Sequence, residues 1–428
     1  MSILRAMYAG VSGLGAEGQA LGVVGDNVAN TNTVGFKAGR AMFADVLGGA
    51  IGTGSSGGGV RMLGTQQMFT QGAILNTGLP TDMALSGDGF FTVQGTVDGM
   101  TGSFYTRAGQ GKLRADGTLV NPEGLAFQGY AMKPDGTYSP AASAIQLPTA
   151  ALPPKVTKTL TITANLDSSA TTPALPWNKD NPSATSNFST SMKVYDSLGK
   201  AHDVDVYYRK TAAGSWDWHA VTPGADVVGG TAGTNTEIAT GTMTFTTSGA
   251  LNTNTVTAGG TVSFVGATAG QPLTFDMGTP IASGGTGLTG TTQFTAPSSV
   301  SSQNQDGYAS GDLAGVKIEA DGTVSGSYSN GVNVPVAKLA IAKFRANEGL
   351  GKAGHNLWIS SQASGPAALG IAGSGGRGAI VAGALEGSNV DIAGQFVDLI
   401  AHQRSFQANS KTITTADQML EEVVNLKR

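Results

Sequence analysis

Cysteine is absent from the 428 residues, and charged residues supply 13% of them, about half the usual share. The first absence excludes disulfides, thiolate metal sites and cysteine nucleophiles together. The second, with a net charge of -4 and no basic stripe, excludes an electrostatic footprint for nucleic acid. No run approaches the ~18 consecutive apolar residues of a membrane span. The start, Met1-Ser2-Ile3-Leu4-Arg5-Ala6-Met7-Tyr8, has no apolar core of signal-peptide length before Glu17. Histidines number four, and acidic residues are sparse. What is plentiful is glycine, 64 residues, about twice its ordinary share. The glycines show no triplet period, which excludes collagen, and 40% hydrophobic residues favour a folded chain over disorder.

The ends read as helices and the middle as strand and turn. Leu4, Met7, Val11, Leu14, Gly18, Leu21, Gly25 and Val28 recur at alternating steps of three and four, a coiled-coil seam. Asn30-Thr31-Asn32-Thr33 and Gly35 end it. At the other end Ser388-Asn389-Val390-Asp391 has capping-box spacing. Ile392, Phe396, Leu399, Phe406, Ile413, Ala416, Leu420 and Val423 follow, with neither Pro nor Gly after Gly394. A helix from about Asp391 to Leu426 would be on the order of 50 Å long. Two seam-bearing helices at opposite ends are expected to pack together. The first contains Gly10, Gly13, Gly15, Gly18, Gly22 and Gly25. Each costs ~1 kcal/mol relative to Ala, so this helix needs neighbours to be stable.

Residues 48–59 read as a flexible linker. Asp88-Gly89, Asp116-Gly117, Asp135-Gly136 and Asp321-Gly322 mark tight turns. Val204, Val206 and Tyr208 alternate, as do Trp216 and Trp218. The expected fold is mainly β with long terminal α-helices. Its β domains are nested and looped out from an N-/C-terminal coiled-coil-like layer. The expected map is 1–30 and 388–428 for the helices, 31–69 for a linker, 70–154 and 301–387 for an inner β domain, and 155–300 for an inserted outer one.

Catalytic signatures are weak. Gly373-Ser374-Gly375-Gly376-Arg377-Gly378 matches a dinucleotide fingerprint without a βαβ unit around it. Gly54-Ser55-Ser56-Gly57-Gly58 matches a nucleophile elbow inside the expected linker. His202, His219, His355 and His402 show no metal-ligand helix spacing, and His402 reads as polar helix surface. Trp216 and Trp218 share one strand face, as a domain core or a sugar-stacking platform would require. No catalytic, cofactor or metal site is expected.

Several long blocks resemble the flagellar rod and hook family. They are Asn27-Val28-Ala29-Asn30-Thr31-Asn32-Thr33-Val34-Gly35-Phe36-Lys37, the stretch Asp82 to Phe91, Tyr105-Thr106-Arg107-Ala108-Gly109, and Leu385-Glu386-Gly387-Ser388-Asn389-Val390-Asp391. Within the family, Asn165-Leu166-Asp167 and Val194-Tyr195-Asp196-Ser197-Leu198-Gly199 are similar to hook proteins in particular, whereas residues 225–300 match poorly. The resemblance implies a non-enzymatic subunit that polymerises into a flexible tube, a universal joint carrying torque from basal body to filament. It implies an extracellular place in the hook, reached by type III export without a cleavable signal. It implies contacts with the distal rod, hook cap and hook–filament junction proteins. A distal rod subunit and a secreted β-rich adhesin are the alternative readings.

Overall fold

Strands on either side of the inserted segment find each other in the computed structural model, so the chain divides into two compact units. One comprises residues 1–149, 315–327 and 333–428; the other comprises 150–314 and 328–332. The description covers residues 2–51, 54–133 and 135–425, without the side chains of residues 2, 3, 48–51, 54–56 and 423.

The first unit begins with a helix, Ser2–Ala29, and ends with a helix, Ile392–Asn425. The expected end of the latter, Leu426, lies outside the described residues. Its N-cap is Asp391, whose Oδ1 accepts the amide of Ala393 at 3.1 Å. The predicted capping box at Ser388 does not form. The helix starts at Ile392, so the residue just before it holds the first free amides, and Ser388 Oγ accepts Val390 N instead.

The expected linker is also replaced. Gly39–Ile51 and Gly54–Gln67 pair as an antiparallel hairpin, with Gly39 opposite Gln67 and Leu47 opposite Gly57. The glycines that suggested flexibility let the hairpin lie against the N-terminal helix. A Cβ on Gly59, at φ +106°, would fall 2.1 Å from Ser12 Oγ, and Val60 N donates to that hydroxyl at 3.1 Å.

The body of this unit is a sheet whose path runs Leu313–Ile318, Thr323–Tyr328, Asn333–Leu339, Ala126–Met132, Phe90–Val97, Met100–Thr106, Leu357–Ile359, Gly351–Gly354. Late strands thus return to early ones: Ala337 faces Ala131, and Leu357 faces Thr106. Two small ladders extend the same principle, Ala379–Ala382 on Met83–Ser86 and Ala384–Glu386 on Ile74–Asn76. An aromatic cluster of Phe69, Phe90, Tyr105, Phe344 and Trp358 packs edge to face in its core.

The inserted unit holds a five-stranded antiparallel sheet in chain order, Phe188–Tyr195, Ala201–Ala212, Ser215–Pro223, Asn235–Phe245 and Leu251–Gly259. Alternation works as expected on Ala201–Ala212, where Val204, Val206 and Tyr208 point inward. Trp216 and Trp218 are fully buried beside them, forming core and not a platform. Strand Ser299–Gln305 pairs with Thr159–Asn165, so the unit cannot close at residue 300. Its two connections meet further along, where Leu152 and Gly311 exchange backbone hydrogen bonds of 2.7 and 3.2 Å.

Candidate self-assembly surface

The terminal helices run antiparallel, with Gly10 against Ile413, Gly13 against Asn409 and Asn27 against Gln395. Small residues make this contact. Gly13, Ala16, Ala20, Val24 and Asn27 are buried, and a Cβ on Gly13 would sit 2.6 Å from the Asn409 amide. Ridge-to-groove packing at such short range needs side chains this small. From the C-terminal helix Ile413 meets Gly10, and Ala416 is buried.

Ile413 and Ala416 of the predicted C-terminal series thus lie on the contact, whereas the N-terminal seam is out of phase with it. Leu4 and Val11 are exposed, as are Phe396 and Phe406. Met7, Leu14, Leu21, Val28, Leu399, Ile413 and Leu420 are half-buried. The side chain of Val423 lies outside the described residues. His402, expected as plain surface, joins the helices: its Nδ1 is 2.6 Å from Glu17 Oε2, and its ring lies 6.3 Å from that of Phe43 on the hairpin.

Where the helices enter the body, the motif residues of the two chain ends knit together. Asn30 closes the first helix by donating to Asp26 O, and Thr31 Oγ1 donates to Val28 O. Gly35 turns the chain at φ +69°, with Ala108 N only 2.5 Å from where a Cβ would be, so only glycine fits. Phe36 is buried, under the Lys352 ammonium. Asn27 donates to Gly39 O and Gln395 Oε1 and accepts from Gly39 N. Asn389 accepts from Ala38 N and donates to Met68 O. Val390, next to it, is half-buried.

The centre of this junction was not assigned from sequence. Glu386, fully buried, takes Lys37 Nζ at 2.6 Å and Gly72 N at 2.9 Å on one oxygen, and Arg107 Nη1 at 3.1 Å on the other. Burial pushes the Lys37 ammonium below the ordinary lysine range, against the opposing pull of Glu386. All three residues stand inside the blocks that carried the family resemblance. Three charges at fixed places in a charge-poor chain were the available signal.

The other polar candidates are engaged within the fold. His202 lies between Asp196 and Asp226 at 3.1 and 3.5 Å, stacked on Phe264. His219 bonds Glu237 and stacks on Trp177. The loop 373–378 joins two strands with no helix after it, and Arg377 ties it down by donating to Ile341 O. Among the described residues no group of three or more His, Asp or Glu could hold a metal ion, and no helix is long and apolar enough to cross a membrane.

Comparisons with known proteins agree along the whole chain. Residues 7–37 match the family described as flagella basal body rod protein. Residues 84–165 match the flagellar hook protein FlgE/F/G D1 domain, and 165–308 the flagellar basal body protein FlaE D2 domain. Residues 381–426 match the C-terminal family of flagellar basal body rod FlgEFG proteins. The flagellar hook protein FlgE of Escherichia coli K12 is 37% identical over 97% of this chain and 98% of its own. That of Treponema pallidum is 33% identical over the full length of both. A solved structure of Helicobacter pylori FlgE2 shares 16% identity, covering 72% of this chain and 98% of its own, at a TM-score of 0.48. Matched from end to end, with its motif residues gathered at the base of the two terminal helices, the chain belongs to the flagellar hook protein family.

Proposed function

We propose that the terminal helices and the hairpin form the layer through which copies of this chain polymerise into a tubular hook. That tube bends while it transmits torque from the basal body to the filament. One observation carries the reading. Of 28 exposed large hydrophobic side chains among the described residues, 16 lie between residues 4 and 68 or between 392 and 424, less than a quarter of the chain. Burying a fully exposed side chain of this kind contributes about 1.5–3 kcal/mol, and these retain a part of that to gain, so this layer gains most from neighbours. Leu4, Val11, Phe396 and Phe406 of the predicted seams are groups through which copies meet. The chain acts as a structural element without catalysis. It leaves the cell through flagellar export, and meets rod, cap and junction proteins at the tube's ends.

The test is electron microscopy of the purified full-length chain after incubation, with motility of cells that make Phe396→Asp as their only copy. Tubes from the wild-type chain, and loss of both tubes and swimming in the variant, support the reading. A wild-type chain that stays monomeric at every concentration sinks it.

A further inference from the structure

The N-terminal helix has a second, unused face. Leu4, Tyr8, Val11, Gly15, Gly18, Gly22 and Gly25 follow steps of four and three without a break. At 3.6 residues per turn this line lies about 180° from Ala16, Ala20 and Val24, which face the chain's own C-terminal helix. A Cβ built on Gly15, Gly18, Gly22 or Gly25 meets nothing within 4 Å. These glycines lower helix propensity, and nothing among the described residues approaches them closely enough to require them. Beside Gly22 opens a groove of about 710 Å³, walled by Val23, Met62 and Leu63 on the helix and hairpin and by Leu350 and Trp358 of the body.

The C-terminal helix carries the complementary shape. Ile392, Phe396 and Ile400, at i, i+4 and i+8, form one ridge. They are 47%, 51% and 50% exposed, with Val397 beside them at 67%. The ridge spans about 12 Å of helix axis, and the glycine stretch from Gly15 to Gly25 about 15 Å. A chain cannot fill its own groove with its own ridge. Its C-terminal helix is held on the opposite face of the first helix by the Asn27–Gln395 bond and the Glu17–His402 contact.

Resting on the polymerisation proposed above, we infer that the Phe396–Ile400 ridge of one copy seats in the groove beside Gly22 of the next. The contact joins two different faces. Such a heterologous contact repeats from copy to copy and does not close on a pair, which is the geometry an open helical assembly requires. The glycines hold space for the neighbour's large side chains.

Because the chain has no cysteine, engineered thiols report this contact cleanly. Full-length chains carrying Gly22→Cys with Phe396→Cys, or Gly18→Cys with Ile400→Cys, are assembled, oxidised and run without reductant. The expected result is a ladder of covalent multimers from polymer and none from dilute monomer. Gly13→Cys with Asn409→Cys, which join within one chain, should give no ladder. A second variant, Gly22→Leu, places its side chain in empty space. It should keep monomer helicity and melting temperature at or above wild type while polymer yield falls at least tenfold. Normal polymer from Gly22→Leu, or oxidised polymer from both thiol pairs without a ladder, would overturn the inference. Failure of the wild-type chain to polymerise would instead count against the function on which it rests.

Discussion

Replacing Glu386 by Gln tests what fixes the base of the terminal helices. The carboxylate, with no exposed side-chain surface, is flanked by Lys37 and Arg107, themselves 0% and 5% exposed. The isosteric amide keeps an acceptor for Gly72 N but removes the negative charge, and it turns an N–H donor toward a cation. Breaking a buried pair on one side costs about 3–5 kcal/mol, because the remaining charge is stranded out of water. Two cations are stranded here, so the upper half of that range is expected. Lys37 already has a pKa below its ordinary 10.5 through burial. The unfolded chain therefore holds that proton more tightly than the folded one. Raising the pH from neutrality toward the ordinary lysine value of 10.5 should shrink the penalty, because the stranded Lys37 sheds its proton at a lower pH in the folded chain than in the unfolded one. Hydrogen exchange is the assay. Gly35, Gly72 and Gly387 amides, which bond to Glu386 or Ala73, should lose protection, while Val206 and Trp216 in the inserted unit keep theirs. The double variant with Lys37→Met should lose less than the sum of the singles, by about 1–3 kcal/mol. A loss below about 1 kcal/mol in Glu386→Gln, or singles that add within about 0.5 kcal/mol, would refute the reasoning.

Three further outcomes follow from the same geometry. Gly18→Ala should raise monomer helicity, contributing up to ~1 kcal/mol, whereas Gly13→Leu should lower it by driving into Asn409; circular dichroism of dilute monomer reads both. Asp321 is held at about 2, chiefly by the side-chain bond from Lys338, with Thr323 adding to it. Its contribution should be complete above about pH 4 and vanish as pH falls through 2; half-exposed, it amounts to about 1 kcal/mol or less, seen as an acid-dependent difference from Asp321→Asn. Deleting residues 153–310 and joining Leu152 to Gly311 by a short linker should leave the first unit folded, since those two residues are already bonded; exchange protection of Phe91 and Ile341 is the measure.

Periodicity revealed both terminal helices but misplaced the phase of the first. Reading a seam by its largest apolar residues selects Leu4 and Val11, which face outward. The inward face is Gly13, Ala16 and Ala20, whose burial is driven by close approach and leaves a faint hydrophobic signal. The hairpin was hidden by composition, because glycine and serine at 54–59 suggest flexibility and strand pairing is not local. His402 was misread because Glu17, its partner, is 385 residues away. Tyr208, Trp216 and Trp218 were legible, since alternation on a half-buried sheet is a local property. The blocks at 27–37, 105–109 and 385–391 carried the family resemblance; that they converge on one buried carboxylate could not be read from any of them alone.

That convergence bears on the order in which the chain can mature. Lys37 and Glu386 are 349 residues apart, and Asn27 and Gln395 368. No contact of this kind can form until both termini are free in the same compartment. A chain emerging end first, or one cut short before Glu386, has Lys37 and Arg107 as like charges with no anion to share. Their repulsion disfavours burial, so the base stays open and solvated while the strands between can already pair. Closing the longest loop last makes the latch a test of completeness: a chain cut short before Glu386 should lack the closed base, and with it the paired terminal helices.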